Sequence, residues 1–535
     1  MHRIFVITIL TLLLLSTRGF TQDERSVGGA FGAVTIDGKI YNQIALRPVV
    51  PIWKFGIALD LVFYIDADGN LRKDEWDFSD SEAIKNTLID KIYYIRFGKK
   101  SDPLYFKIGA LDYVNLGYGI LVNGYTNTSE YPSVRKVGLD MSVKTGRYSI
   151  QGFINDFKEN AGLFGARISS PMLVGLPVGF SLVVDRNQYL GLKDRDGDGL
   201  PDLVDDFPGN KRWKIDTDGD GLADNDPRDT DRDQDGLIDV NDPDVIHAFW
   251  DDLGNTVGAD FSNEPYYDSL PDPSLTLREP LLNVSDDADP IAAFAFDVGY
   301  PILTDGPFKL SIYAQLAKMI GQTIDPKSQA EVDLGMGLIP LGFLAGFGPV
   351  SFNLEYRMIP NDGRFDFNYW NRSYDLERAV LSASADQVVI RTKEQSLGKF
   401  GPQSGVFAQL LINAGQLLSI GAQYQNLKGD IWDESAADFS TELNQSLLGQ
   451  IKLRKSISKL KYAELFYEQR NVVDPFKFEL TEGTIMGYRL GLELGSGIVL
   501  NYTVQRTFRD LNGDGKIAGK DEIINTTAIE TSFAF

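Results

Sequence analysis

The stretch Leu417–Asn426, LLSIGAQYQN, decides how this chain folds. Successive side chains of a strand point to opposite faces. Leu418, Ile420, Ala422 and Tyr424 therefore share one side, and Ser419, Gly421, Gln423 and Gln425 share the other. The same rhythm runs through Phe308–Ala317, where Phe308, Leu310, Ile312, Ala314 and Leu316 oppose Lys309, Ser311, Tyr313 and Gln315. In Ile485–Leu494, Met486, Tyr488, Leu490, Leu492 and Leu494 oppose Gly487, Arg489, Gly491 and Glu493. Residues 135–144, 447–454 and 498–505 repeat it. Such runs of about ten residues exceed the usual soluble strand of about five or six and match strands that cross a bilayer. Their polar sides carry charges (Lys136, Asp140, Lys452, Arg454, Arg489, Glu493) that a dry core would not accept unpaired and a wet lumen would.

The links between the runs give the topology. Short ones fall at 99–103, 145–146, 304–306, 414–415, 456–458 and 496, and long ones at 66–88, 188–290, 360–401, 428–441, 471–482 and 509–522. Their alternation is that of antiparallel hairpins in a membrane barrel, short turns on the periplasmic side and long loops outside. The expected fold is all-β: a transmembrane antiparallel β-barrel of about 18–20 strands, an even number, starting from a periplasmic N-terminus. The segment 111–133, rich in Gly, Tyr and Asn, reads either as two strands or as a piece folded into the lumen. The longest apolar stretch, 339–350, is broken by Gly and Pro and reads as strand ends flanking a turn.

Composition narrows the chemistry. The 535 residues contain no cysteine, which removes disulfides, thiolate metal sites and cysteine nucleophiles. The histidines are His2 and His247, so histidine-metal clusters and Ser-His-Asp catalysis have almost no material, and no enzyme activity is expected. Residues 1–21 have a basic start, an apolar run Ile4–Leu15 and a polar end, the layout of a cleaved secretory signal. The competing reading, an anchoring helix, requires a longer apolar run. The net charge is -23, and residues 194–290 hold 28 Asp or Glu against 7 Lys or Arg, which leaves -2 for all the rest. No basic patch favours nucleic acid. The organisation is then a signal peptide at 1–21, a first part of the barrel at 22–187, an acidic insertion at 188–290 and a second part of the barrel at 291–535.

The insertion contains a pattern. Asp194, Asp196 and Asp198 precede Gly199; Asp216, Asp218 and Asp220 precede Gly221; Asp231, Asp233 and Asp235 precede Gly236. Carboxylates at positions one, three and five with glycine at six are the spacing at which hard oxygen ligands wrap a calcium ion. Asp202, Asp224 and Asp239 occupy position nine, and Asp205 and Asp242 position twelve. Pro227 takes position twelve of the second copy, where Asp226 or Asp229 would substitute. A fourth copy, DLNGDGKIAGKDE, places Asp510, Asn512, Asp514, Gly515 and Asp521 at positions one, three, five, six and twelve. Asn-Gly and Asp-Gly also build hairpin turns, so this copy stays open between the two. A weaker match, Asp66, Asp68 and Asn70, lacks the glycine.

On these residues the insertion resembles the thrombospondin type-3 repeat, with Phe207 and Asp244 where that repeat has cysteine. The resemblance implies a segment with little apolar core, organised by bound Ca2+. A solvated acidic loop is the plain alternative. The ending TTAIETSFAF, with Thr527, Ile529, Thr531, Phe533 and Phe535 on one face, resembles the terminal strand of bacterial outer-membrane barrel proteins. That resemblance implies a bacterial outer-membrane location, a lipid surround, recognition by the barrel-assembly machinery and repeats on the extracellular side. The expected function is a porin-like channel for small solutes with a calcium-stabilised surface loop. The alternative is a structural or adhesive protein that uses the barrel as an anchor, its insertion contacting an extracellular ligand or matrix. A surface enzyme and a secreted, soluble calcium protein are weaker readings.

Overall fold

The computed structural model describes residues 26–534 except 37–38, 79–80, 132–133, 174–175, 203, 218–220, 227–281, 285–286, 362, 385–386, 496, 511–516 and 520–521. Twenty barrel strands follow one another in the chain. The first nine are β1 Ser26–Ile36, β2 Lys39–Ile52, β3 Phe55–Leu59 continued by Leu61–Ile65, β4 Ile92–Phe97, β5 Leu104–Gly109, β6 Gly138–Thr145, β7 Tyr148–Ile154, β8 Leu163–Leu173 and β9 Leu176–Asp185. Beyond the insertion come β10 Ile291–Leu303, β11 Phe308–Ile320, β12 Met336–Phe347, β13 Val350–Ile359, β14 Phe400–Ala414 and β15 Leu418–Asp433. The last five are β16 Asp438–Leu453, β17 Leu460–Val472, β18 Thr484–Gly495, β19 Ile498–Phe508 and β20 Ile523–Ala534.

Each strand pairs antiparallel with the next, and β20 pairs with β1, Gly28 opposite Ala534 and Val34 opposite Ala528. The sheet thus closes on itself and leaves no edge, the condition for a sheet to cross a bilayer. At the seam Gly32 is required by contact: a Cβ built there would overlap the backbone carbonyl oxygen of Ile529. One end of the barrel has links of two to six residues, as at 53–54, 98–103, 348–349 and 454–459. The other end carries the long ones, 66–91, 110–137, 186–290, 321–335 and 360–399. The expected long link at 428–441 is different: β15 and β16 run on as a tall hairpin, and only 434–437 separate them. The apolar stretch 339–350 is the end of β12, a turn, and the start of β13.

Face assignments follow the two-residue rhythm. Ile44, Ile168, Phe296, Leu341, Leu465 and Ile529 are exposed on the outside, while Arg357, Glu355, Asp185 and Lys136 are buried inside. A soluble barrel does the reverse; an apolar outer face around a polar interior is stable only against lipid. Trp53, Phe55, Phe97 and Phe106 meet edge to face or stacked at the short-turn end, an aromatic girdle of the kind that sits at a bilayer boundary. No helix among the described residues is long and apolar enough to cross a membrane, so strands do the crossing.

Candidate functional site

Two loops from the long-loop end fold into the lumen. Residues 110–137 and 360–399 share a small sheet in which Val122–Tyr125 pairs with Val114–Asn115 and with Trp370–Asn371. The segment 111–133 is therefore an inner loop, the second of the two readings left open above. Tyr118 stacks on Tyr313 of β11 at 4.2 Å, and the Ile120 N–H donates to Gln315 Oε1 at 3.4 Å. Leu111, Leu121, Tyr125, Phe365, Tyr369, Trp370 and Tyr374 form one apolar cluster with Ala293, Ala295, Ala317 and Met319 of the wall. Small residues on the inner faces of β10 and β11 make room for these rings. The half of the lumen beside β7–β13 is therefore a packed core, not a water channel.

Buried ion pairs bolt the loop 360–399 to the wall. Arg378, fully buried, donates to Asp185 Oδ2 at 2.6 Å and Oδ1 at 2.8 Å, and to Glu159 Oε2 at 2.6 Å. Tyr374 Oη donates to the same Asp185 at 2.7 Å. Lys136 lies 3.0 Å from Asp375 and 3.2 Å from Glu130. A buried charge is tolerated only when it is paired; hydrogen bonds complete the pairing of Arg378, and three carboxylates within 4 Å surround Lys136. Burial alone would raise the Glu377 carboxyl, but Arg470 and Lys393 beside it hold it down at about 2. Glu394 has no such cation: burial first, and Asp289 next, push it up to about 9.

The other half of the lumen stays open. A cavity of about 710 Å³ lies between the inner loops and the wall of β14–β18. Six cations line it (Arg357, Arg372, Lys452, Arg454, Arg470, Arg489), as do four carboxylates (Asp112, Asp366, Glu464, Glu468). Gln409, Gln423, Gln425 and Gln450 add carboxamides that both donate and accept. Most of the charges are neutralised nearby. Arg357 pairs with Glu355 at 2.7 Å and donates to Gln425 at 2.5 Å, and Arg489 lies 3.6 Å from Glu464. Arg372 is the exception among the described residues: its guanidinium lies over Phe466 at 4.3 Å and makes no ion pair or hydrogen bond. Ser419, Gln423, Lys452, Arg454 and Arg489, which the alternation placed on the wet side, all line this cavity.

The aspartate loops emerge above β9. In the first, Asp194 accepts from the N–H groups of Gly197 (2.7 Å) and Gly199 (2.9 Å), and Asp202 accepts from Arg195 N–H at 2.7 Å. In the second, Asp216 accepts from Gly221 N–H at 2.9 Å and Asp224 from Thr217 N–H at 2.7 Å. The backbone bond Asp202 N to Lys193 O recurs as Asp224 N to Ile215 O, both 2.8 Å. The bonds of Gly199 to Asp194, of Arg195 to Asp202 and of Asp202 to Lys193 all recur at an offset of 22 residues, so the sequence repeat is a structural repeat. Gly199 and Gly221 have φ of +92° and +90°, the left-handed region that a side chain disfavours.

Carboxylate oxygens of Asp194, Asp196 and Asp198 lie within 4.8 Å of one another. Buried oxygens of Asp196, Asp198 and Asp205 have no hydrogen-bond partner. Burial, then Asp198, Asp194 and Asp205, push Asp196 up to about 6. Hard-oxygen donors left over in this way fit a divalent cation. Asp202 is placed apart, its second oxygen 3.5 Å from Arg195, where it clasps the loop. Asp218, Asp220, Asp231, Asp233, Asp235, Asp239, Asp242, Asn512, Asp514 and Asp521 lie outside the described residues, as does residue 535. The N–H of Asp510 donates to Glu482 at 3.1 Å. The weak match at Asp66 is an ordinary turn, its carboxylate accepting from the N–H groups of Asp68 and Asn70.

Fold and lumen together define a class, a closed membrane barrel constricted from within by its own loops. No family model matches the chain, and no curated protein matches it. Among solved structures it is similar to OccK5 (OpdH) from Pseudomonas aeruginosa at 8% identity and a TM-score of 0.34, covering 97% of this chain and 99% of that one. The outer membrane protein OprD from Pseudomonas aeruginosa gives 7% and 0.32, covering 97% and 96%. CdiB from Acinetobacter baumannii gives 6% and 0.24, and this chain spans 60% of that protein's length. Scores this low carry no functional argument, and the fold class rests on the strand pairing itself.

Proposed function

We propose that this protein is a porin-like channel of the bacterial outer membrane that passes small polar solutes. The observation that carries the reading is the cavity of about 710 Å³ between the inner loops and β14–β18, lined by charges of both signs and by carboxamides. A bare anchor needs no wet half-lumen, and barrels of about 16 strands or more are wide enough to hold one. The apolar outer face takes the lipid, and β20 at the seam is the strand that the assembly machinery would read. The long loops face outward, and Ca2+ held by Asp194, Asp196, Asp198 and Asp205 stiffens the insertion, with Asp216 starting the next loop. Purified protein in planar bilayers should give discrete conductance steps. A folded barrel that stays electrically silent, in a bilayer where a control porin conducts, refutes the proposal.

A further inference from the structure

The acidic insertion and the inner loop 360–399 are fastened together at their roots. The chain leaves the barrel at Asp185 and returns at Ile291. Between these points Asn187 Nδ2 donates to the carbonyl of Val284 at 2.6 Å, and the Gln188 N–H donates to the carbonyl of Asp289 at 2.9 Å. The inner loop grips the same stem. Arg378 Nη2 donates to the carbonyl of Asn187 at 3.1 Å, and Tyr369 Oη donates to Gln188 Oε1 at 2.9 Å. From above, the Val284 N–H donates to the carbonyl of Gly199 at 3.0 Å, and Gly199 is the position-six glycine of the first aspartate loop. A continuous path of hydrogen bonds thus runs from Gly199 through Val284 and Asn187 to Arg378. On their other side, residues beside Arg378 and Tyr369 in the same loop, among them Phe367, Asn371 and Arg372, line the open cavity.

We propose that the first aspartate loop is a divalent-cation sensor whose occupancy sets how firmly the inner loop 360–399 is seated, and thereby how wide the lumen is. This rests on the channel reading and the cation reading given above. Beside the acidic cluster lies the buried Asp205, one oxygen of which has no hydrogen-bond partner. Without a cation, carboxylates within 4.8 Å repel, and the turn is held by its Asx bonds, the clasp of Asp202 and Lys214 on Asp198. A cation joins them and fixes Gly199, which fixes Val284 and the stem. A ligand shifts such an equilibrium only by its differential affinity for the two states. Here the difference is clear, because only the closed turn brings the carboxylates together. Loosening the stem costs the inner loop its bonds to Asn187 and Gln188 but leaves its ion pairs to the wall, Arg378 with Asp185 and Glu377 with Arg470. The loop therefore loosens and does not leave.

The test uses the full chain in planar bilayers, with Ca2+ or a chelator on the long-loop side and calcium affinity measured separately by titration calorimetry. Chelation should raise the fraction of time spent in the larger conductance state about tenfold, the size expected when two ordinary hydrogen bonds are released. Asp196→Asn should show the calcium-free behaviour at every calcium concentration. Tyr369→Phe removes one hydroxyl from the grip; it should bind calcium as tightly as the natural chain yet respond to it less. Calcium binding together with steady conductance, unchanged by chelation, overturns the coupling and leaves both underlying readings standing. Absence of calcium binding, or of conductance, also overturns it, and identifies which of the two readings failed. An equal calcium response in Asp196→Asn would assign the effect to the membrane surface and overturn it too.

Discussion

Replacing Arg378 tests whether the lumen is divided by ion pairs or merely by packing. Arg378 is fully buried, and its three nitrogens serve Asp185, also fully buried, Glu159 and the carbonyl of Asn187. Arg378→Met keeps the bulk and removes the charge. Asp185 then keeps the hydroxyl of Tyr374, but no cation. Breaking one side of a buried pair costs about 3–5 kcal/mol. The twenty wall strands remain hydrogen-bonded to their neighbours, so the loss falls on the docking of 366–378 and not on the barrel. Hydrogen exchange should read it directly. Protection of the amides of Asn368 and Trp370, whose partners are the carbonyls of Ile120 and Leu121, should fall by roughly 200-fold or more. Adding Asp185→Asn should return part of it, because the stranded charge is gone; contacting residues couple by about 0.5–3 kcal/mol. Unchanged protection in Arg378→Met, or losses in the double variant that simply add, would refute the argument that this network seats the loop.

Three further outcomes are expected. Arg372→Gln removes a cavity guanidinium that has neither an ion pair nor a hydrogen bond, so the reversal potential in a salt gradient should shift toward cation preference, while Arg372→Lys should keep the natural value; an unmoved potential in the Gln variant contradicts the assignment. Gly32→Val drives a side chain into the backbone carbonyl of Ile529, an overpacking of about 1–3 kcal/mol at the seam, so the folded fraction on heat-modifiability gels should drop, more than for Gly449→Val, which has open space and an ordinary φ. Asp196, held up at about 6 from an ordinary 3.8, prefers its proton in the folded loop. The metal-free insertion should therefore resist proteolysis best below about pH 4 and lose resistance as the pH rises toward 6, whereas with Ca2+ bound the resistance should hold at pH 7 and fall below 6, where protons compete for the same oxygens. A flat profile without calcium would contradict the crowding of these carboxylates.

Face parity and the aspartate turns belong to the sequence alone. Ser419, Gln423, Lys452 and Arg489 line the lumen, as a period of two requires, because the strand geometry that sets it is local to a few residues. The glycine after three spaced aspartates marks a left-handed turn in both described copies for the same reason. The even strand number follows from alternating short and long links. What the local rules could not reach is the interior. The aromatic density of 365–374 and the glycines of 117–124 signal that something packs there, but not against what. Tyr118 meets Tyr313, and Arg378 meets Asp185 across 193 positions of chain. Such contacts come from closure of the barrel, which brings distant inner faces within a few ångströms of the same loop, and no periodicity in the chain encodes that distance. The tertiary structure alone therefore decided that half of the lumen is core and half is open, and that Arg372, among the cavity's described cations, is left with neither an ion pair nor a hydrogen bond.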